Sequence, residues 1–196
     1  DHYKYVYPIL KGMGISGVFY TPSKGMYEHS VLDVNKIHFI LANAEISQII
    51  ESIRHLFDKY GNEFKLKDFD YYYGKLSVEF LYDDKETMFV KRLLQYDLPI
   101  KVRESFLDYL FNEYVGVPEN AFSEELYLTL DQVLHMSKDG MHIGSHGHSH
   151  YWLDKLTKDE QESEILLSMD YLSKMSVDLD NWNICYPYGG YNEDTI

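Results

Sequence analysis

The sequence predicts an α/β fold that is interrupted by a largely helical segment. Near both ends of the 196-residue chain, a helical pattern, a glycine-containing loop and a short apolar run follow one another. This order is typical of an α/β unit with a buried parallel strand. Between these regions the pattern is that of successive amphipathic helices. We therefore expect a discontinuous α/β domain, residues 1–23 and 123–196, and a helical insertion, residues 24–122.

Composition and charge exclude several classes of protein. The formal net charge of −14 argues against nucleic acid or an anionic membrane as the main partner. Cys185 is the single cysteine, so the chain forms no internal disulfide and no cysteine-built zinc site. No apolar run approaches the roughly 18 residues that a membrane helix needs. The chain begins without methionine, inside an amphipathic pattern, and we interpret it as an internal fragment.

The first α/β unit lies at the start of the chain. Its apolar residues recur at the spacing of one helix face, at Tyr5, Val6, Ile9, Leu10 and Met13. The glycines of "KGMGIS" end this helix. The run "SGVFYTP" then predicts a short strand that Pro22 stops.

The helical insertion contains a strong amphipathic helix, "ISQIIESIRHLFDKYG", which Gly61 ends. Two more helices, "TMFVKRLLQY" and "IKVRESFLDYLFNEYVG", are separated by Pro99. Tyr71, Tyr72 and Tyr73 are candidates for stacking on sugar rings, although aromatic runs more often pack in a core. An insertion of this size suits a lid over a groove, a homo-oligomer contact, or a subdomain with no part in function.

The second α/β region begins near Leu128. Thr129 and Gln132 have the spacing of a capping box at the start of a short helix, and "MHIGSH" predicts a strand after it. Thr157 and Glu160 have the same spacing before the long helix "LTKDEQESEILLSMDYLSKM". The run "WNICYPYGG" predicts another buried strand.

Three histidines follow the predicted strand "MHIGSH", in the loop "GSHGHSHYWL". Sites in α/β folds are built at this end of a strand. His146 and His150 are four residues apart, a spacing at which two imidazoles can converge on Zn²⁺, Co²⁺, Ni²⁺ or Fe²⁺. Such a pair still needs a carboxylate and water to complete the site. The alternative is a polar loop whose histidines cap a helix or meet solvent, and we expect His142 and His148 not to be ligands.

The segment "GMHIGSHGHSHYWLDKLTKDEQESEI" resembles the second motif of the polysaccharide deacetylase family, the NodB-homology carbohydrate esterases. His146 and His150 fall on the two motif histidines, and Leu153 falls on the motif leucine. Gly147 and Tyr151 depart from the hydroxyl residue and the proline that are usual there. "YVYPILKGMGISGVFYTP" resembles the family's first helix and second strand, and "ICYPYGGYN" resembles its third motif.

The resemblance implies part of a distorted (β/α) barrel and a metal-dependent hydrolase that removes N- or O-linked acetyl groups from a saccharide or polysaccharide. It implies a divalent metal at His146 and His150, zinc first, with cobalt, nickel or iron as alternatives. In the family an Asp-Asp pair supplies the general base and the third ligand. That pair would precede Asp1, and the general-acid histidine would follow Ile196. We therefore expect no catalytic residue within the chain.

For the substrate, the resemblance implies that Tyr188 forms a wall of the groove. Pro187 and Gly189 would fix a turn whose backbone N–H helps to hold the acetyl oxygen. Trp152, two residues after His150, is a candidate for stacking on a sugar ring. Cys185 stands where the family often has an arginine. The alternative function is that of a non-catalytic relative whose tyrosine-rich insertion binds a glycan or a partner protein.

Overall fold

The computed structural model of the protein describes residues 1–196. The chain forms two compact units: an α/β unit, Asp1–Leu32 with Glu119–Ile196, and a helical unit, Asp33–Pro118. None of the helices combines the length and the apolar character that crossing a membrane requires.

Ten α-helices and two strands make up the chain. In chain order they are α1 (Tyr7–Gly12), β1 (Val18–Thr21), α2 (Lys24–Tyr27), α3 (Asp33–Asn43), α4 (Ile46–Tyr60), α5 (Phe69–Leu76), α6 (Lys85–Arg92), α7 (Ile100–Tyr114), α8 (Glu119–Leu126), α9 (Leu130–Lys138), β2 (His142–Ser145) and α10 (Lys158–Lys174). Short π-helical segments precede α1 and follow α6, at His2–Val6 and Leu93–Asp97. Two 3₁₀ turns lie at Leu153–Lys155 and Pro187–Gly189.

The sheet of the α/β unit consists of β1 and β2, which pair in parallel from Val18↔His142 to Thr21↔Ser145. Both strands lie where the sequence predicts them. A third segment reaches β2 through Ser145, whose N–H donates to Asn183 O and whose carbonyl accepts from Cys185 N, each at 2.9 Å.

The predicted strand "WNICYPYGG" is wrong in its extent, because this segment makes only an isolated bridge between Ser145 and Ile184. A turn in which Asn181 N–H donates to Asp178 O precedes the bridge. On the other side, the 3₁₀ turn that begins at Pro187 follows it. The structure therefore contains a small parallel sheet rather than a closed barrel.

A core of nine buried side chains surrounds the sheet: Tyr7, Phe19, Val133, Met136, Met141, Ile143, Tyr171, Leu172 and Met175. The predicted apolar face of the first helix is wrong, because Ile9 and Met13 are exposed and Tyr7 is buried. The π-helical segment before α1 has a wider turn than an α-helix, so the 3.6-residue period does not run through it. Tyr3 contacts α9 instead, with its hydroxyl 2.7 Å from His135 Nδ1.

Both predicted capping boxes are present in the α/β unit. Thr129 accepts the Gln132 backbone N–H at the start of α9, and the Gln132 side chain accepts the Thr129 N–H. Thr157 and Glu160 make the same reciprocal pair at the start of α10. These caps fix the two helices that flank β2 and the loop after it.

The helical unit has its own apolar core, in which α3, α4, α6 and α7 contribute side chains that are completely buried: Ile37, Ile40, Ile49, Ile53, Phe89, Val90, Leu107 and Leu110. Tyr72 is buried in this unit and Tyr73 stacks on Phe69, whereas Tyr71 is half-exposed. Only Tyr71 of the three tyrosines therefore presents most of its ring to solvent.

Residues 24–32, which the sequence analysis places with the insertion, lie in the α/β unit. Leu32 N–H donates to Tyr127 Oη at 2.9 Å. Gly25 lies against the same ring, where a Cβ atom would come within 2.6 Å of it. Packing on Tyr127 thus holds this segment beside α8.

Candidate metal-binding and substrate-binding site

The candidate site begins where β2 ends. A Cβ atom at Gly144 would lie 2.5 Å from Asn183 Oδ1 and 2.6 Å from the Tyr20 ring, so glycine lets these two side chains lie against the strand. Thr21 O accepts the His146 N–H at 3.3 Å, which extends the pairing of the two strands to the first histidine.

His146 and His150 come together beyond the strand. Their ring centroids are 4.7 Å apart and the rings are nearly perpendicular, at 80°. Two residues of the loop adopt the left-handed backbone region, Gly147 with φ 73° and His150 with φ 62°. The loop therefore turns sharply enough for its first and last side chains to meet.

A hydrogen bond determines which nitrogen of His146 can bind a metal. Nδ1 lies 2.6 Å from the carbonyl oxygen of Cys185. Because a carbonyl oxygen only accepts, Nδ1 must carry the proton. The lone pair is then on Nε2, which is the arrangement of a metal-ligating histidine with a carbonyl behind it.

His150 is held in its neutral form. Burial, reinforced by the nearby His146, lowers the pKa of His150 to about 4. Its Nδ1 atom is buried, and no other residue offers that atom a hydrogen-bond partner. A neutral imidazole with an unused buried nitrogen has the chemistry of a ligand for a borderline divalent metal.

The two imidazoles thus fit a divalent metal such as zinc as two of its ligands. No group of three or more His, Cys, Asp or Glu side chains in the chain is arranged to hold a metal ion. The pair therefore accounts for every ligand that this chain's residues offer at the site.

His148 faces away from this pair and is only 6% exposed. Its Nδ1 atom lies 2.8 Å from Ser23 Oγ, and its Nε2 atom lies 3.0 Å from Glu28 Oε1. Both ring nitrogens are therefore engaged with the segment that follows β1.

The predicted groove residues lie next to the histidine pair. The Tyr188 ring is 4.8 Å from the His150 ring and stacks on Trp152 at 4.6 Å, with 6° between the planes. Pro187 is buried, and both Tyr188 and Gly189 have positive φ, at 58° and 73°. Trp152 thus turns one face toward Tyr188, whose own ring is partly exposed.

Two backbone N–H groups of this turn are used inside it. Gly189 N–H donates to Tyr186 O and Gly190 N–H donates to Pro187 O, each at 3.0 Å. These two N–H groups are therefore already used within the turn.

A cleft of about 480 Å³ opens beside His146. Cys185 also lines the cleft, together with apolar side chains from the first helix and β1 that include Leu10 and Val18. His146 is therefore accessible from this side of the α/β unit.

A family comparison adds to this geometry. Residues 109–196 match the family model described as polysaccharide deacetylase. This part of the chain is therefore similar to the polysaccharide deacetylase family. No curated protein and no solved structure matches the chain.

The matched segment contains the whole predicted site: His146, His150, Trp152, Pro187, Tyr188 and Gly189. The family implies a hydrolase that acts on an acetylated carbohydrate, and its members generally use a divalent metal. Residues 1–108 lie outside the matched segment, so the resemblance of the first helix and β1 to the family stays a prediction.

Sequence reasoning missed two contacts of the candidate site. One is the Cys185 carbonyl that orients His146. The other is Glu164, a buried carboxylate on α10 that accepts N–H groups of the histidine loop. Gln161, Glu164, Ser168 and Tyr171 recur at helical spacing and are all buried, so polar residues in that pattern were the available signal.

Proposed function

We propose that this chain forms the metal-binding and groove-forming part of a deacetylase that removes N- or O-linked acetyl groups from a saccharide or polysaccharide. One observation carries the proposal. His146 and His150 lie side by side, 4.7 Å between ring centroids, next to Tyr188 and within the segment that matches the family. Paired imidazoles beside an aromatic wall suit metal-assisted hydrolysis of a sugar substituent.

Zinc is the metal that we propose for this site, because imidazole nitrogens are among the ligands that it prefers. When bound, a divalent ion acts as a Lewis acid toward the acetyl carbonyl and lowers the pKa of water. His146 and His150 would hold this ion, and the carbonyl of Cys185 keeps His146 in the tautomer that leaves Nε2 available.

The remaining site residues orient the saccharide. Tyr188 and Trp152 form a stacked pair that gives the groove a flat apolar wall against which a sugar ring can lie. We assign to the Tyr188 backbone N–H the role of donor to the acetyl oxygen as negative charge develops on it. Proton transfer is assigned to no residue of this chain, because no carboxylate is grouped with the two imidazoles.

Acetate release by the full-length protein tests this proposal. The substrates are an N-acetylated and an O-acetylated oligosaccharide, each measured before and after removal of metal with a chelator. We expect activity on at least one substrate, its loss on chelation, and its return when zinc is added. Hydrolysis that persists without metal, or binding of both oligosaccharides with no acetate release in the presence of zinc, would contradict the proposal.

A second candidate function, a module that binds a glycan or a protein, is favoured by one feature of the helical unit. Four of the five residues in positions 78–82 are apolar and exposed: Val78, Phe80, Leu81 and Tyr82. Tyr82 is completely exposed, and contiguous exposed apolar groups are typical of interaction sites. Binding without acetate release, weakened by Phe80→Ser with Tyr82→Ser, would support this function instead.

A further inference from the structure

The inward face of α10 carries polar side chains where a core helix usually has apolar ones. Gln161, Glu164 and Ser168 are all buried. A buried carboxylate is costly unless hydrogen bonds compensate for the lost water. The hydrogen-bond partners of Glu164 therefore indicate the role of this face of α10.

Glu164 binds the backbone of the histidine loop. Its Oε2 atom accepts the His148 N–H at 3.1 Å and the Ser149 N–H at 2.7 Å. Both donors lie between the two proposed ligands, His146 and His150. A charged acceptor makes these hydrogen bonds stronger than bonds to a neutral group.

Ser168, one turn further along α10, extends this contact. It accepts a hydrogen bond at 2.9 Å from Ser145 Oγ, which in turn accepts the Gly147 N–H at 3.1 Å. The backbone N–H groups of Gly147, His148 and Ser149 are thus all held from the α10 side. No side chain of α10 touches either proposed ligand ring through these bonds.

The opposite side of the loop is held by the segment after β1. Ser23 N–H donates to Gly147 O at 3.3 Å, and Lys24 N–H donates to His148 O at 3.0 Å. The peptide groups between His146 and His150 are therefore fixed from both sides.

This loop needs such support because its conformation is unfavourable by itself. His150 has φ 62°, a region that residues with a side chain rarely adopt. Positions of this kind persist only where the surroundings hold them. Without the Glu164 contacts, the loop can relax and the His150 ring can leave His146.

From these contacts we infer that Glu164 is a positioning residue, which holds His146 and His150 in the geometry that binds a metal. The inference rests on the proposed function, because it concerns the same two ligands. Glu164 acts through the backbone of residues 147–149 and is not itself a ligand.

Four substitutions test this role in the intact chain. Glu164→Ala removes the acceptor. Glu164→Gln keeps the length of the side chain and one carbonyl oxygen. Glu162→Ala, on the exposed face of α10, is the matched surface control. Leu172→Ala removes a core side chain from the same helix and controls for loss of stability.

Two measurements are made on each variant. The first is amide hydrogen exchange at His148 and Ser149 in the absence of metal, and the second is equilibrium binding of Zn²⁺. For Glu164→Ala we expect protection of both amides to be lost and zinc affinity to fall by about tenfold or more. Glu164→Gln should retain most of both properties. Glu162→Ala and Leu172→Ala should keep zinc affinity, although Leu172→Ala lowers the free energy of unfolding.

If Glu164→Ala does not fold, Glu164→Asp replaces it in both measurements. The aspartate side chain is one methylene shorter, so its carboxylate does not reach both N–H groups. If Glu164→Ala or Glu164→Asp binds zinc with the wild-type affinity, or if Leu172→Ala loses as much zinc affinity as they do, the role of Glu164 is contradicted. The proposed function would be unaffected by either result. A wild-type chain that binds no zinc would instead overturn the proposed function, and exchange at His148 and Ser149 would still report on the Glu164 contact.

Discussion

The carbonyl oxygen of Cys185 lies 2.6 Å from Nδ1 of His146, and this hydrogen bond joins the histidine loop to the segment that carries Tyr188. The same residue donates its backbone N–H to Ser145 O, at the end of β2. The backbone of Cys185, rather than its thiol, therefore connects the two halves of the proposed site.

Substitution of Cys185 should accordingly leave metal binding unchanged. Cys185→Ser retains the backbone carbonyl, so we expect its zinc affinity to equal that of the wild-type chain within error. Equilibrium zinc titration of the two proteins measures this. A marked loss of affinity in Cys185→Ser would mean that the thiol is a ligand.

Removal of the Tyr188 ring should weaken binding of the saccharide. Tyr188→Ala removes the stack on Trp152, and an aromatic pair contributes about 0.5–1.5 kcal/mol beyond the area that it buries. We expect kcat/KM of the full-length protein on its oligosaccharide substrate to fall several-fold, and Tyr188→Phe to retain most of it. Tyr109→Ala, an exposed tyrosine of the helical unit, is the control. If kcat/KM falls equally in Tyr188→Ala and Tyr109→Ala, the assignment of Tyr188 to the wall of the substrate groove is contradicted.

Burial of His150 predicts that the metal-free chain loses stability in acid. The pKa of His150 is about 4 in the folded state and about 6.5 in an unfolded chain. Between these values the unfolded state binds more protons, so this contribution to stability is complete above about pH 6.5 and is lost as the pH falls toward about 4. Urea unfolding across this range measures the loss.

His150→Asn is the matched variant, because asparagine tolerates the left-handed backbone but does not titrate. Its stability should fall less than that of the wild-type chain over the same pH interval. If the two proteins lose the same free energy of unfolding, His150 is not buried in its neutral form.

Deletion of the helical unit separates its role from that of the metal site. Val31 N–H donates to Glu119 Oε1 at 2.6 Å, so a short linker can join the ends left when residues 33–118 are removed. The hydrogen bonds that hold residues 147–149 come from Ser23, Lys24, Ser145 and Glu164 of the α/β unit, so we expect the deletion variant to bind zinc as the wild-type chain does. Loss of zinc binding in a variant that still folds would contradict this.

Substrate assays on the same deletion, made in the full-length protein, decide what the helical unit contributes. If the deletion variant loses activity on the oligosaccharide but still hydrolyses a small acetyl ester, the helical unit contributes to substrate selection. Unchanged activity on both would mean that the unit has no part in the reaction.

The sequence predicted features that depend on neighbouring residues. The reciprocal pairs Thr129 with Gln132 and Thr157 with Glu160 were predictable because a capping box is decided within one helical turn. The proximity of His146 and His150 was predictable for a similar reason, since only three loop residues separate them at the end of a strand.

Features that depend on distant parts of the chain were not predictable. Glu164 contacts His148 and Ser149 only because α10 packs behind the loop, and the helical spacing of Glu164 with Gln161 and Ser168 does not show which segment that face meets. The first helix buries Tyr7 rather than Ile9 because a π-helical segment precedes it. Tyr72 and Tyr73 pack within the helical unit, as aromatic runs more often do, but which of the three neighbouring tyrosines are covered depends on helices far away in sequence.

Zinc binding by single-histidine variants tests the central claim most directly. We expect the wild-type chain to bind Zn²⁺ weakly, because two imidazoles are an incomplete ligand set. His146→Ala and His150→Ala should each abolish this binding, whereas His55→Ala, an exposed histidine of α4, should not change it. Zinc affinity that is the same in the wild-type chain, His146→Ala and His150→Ala would contradict the assignment of these two residues as ligands.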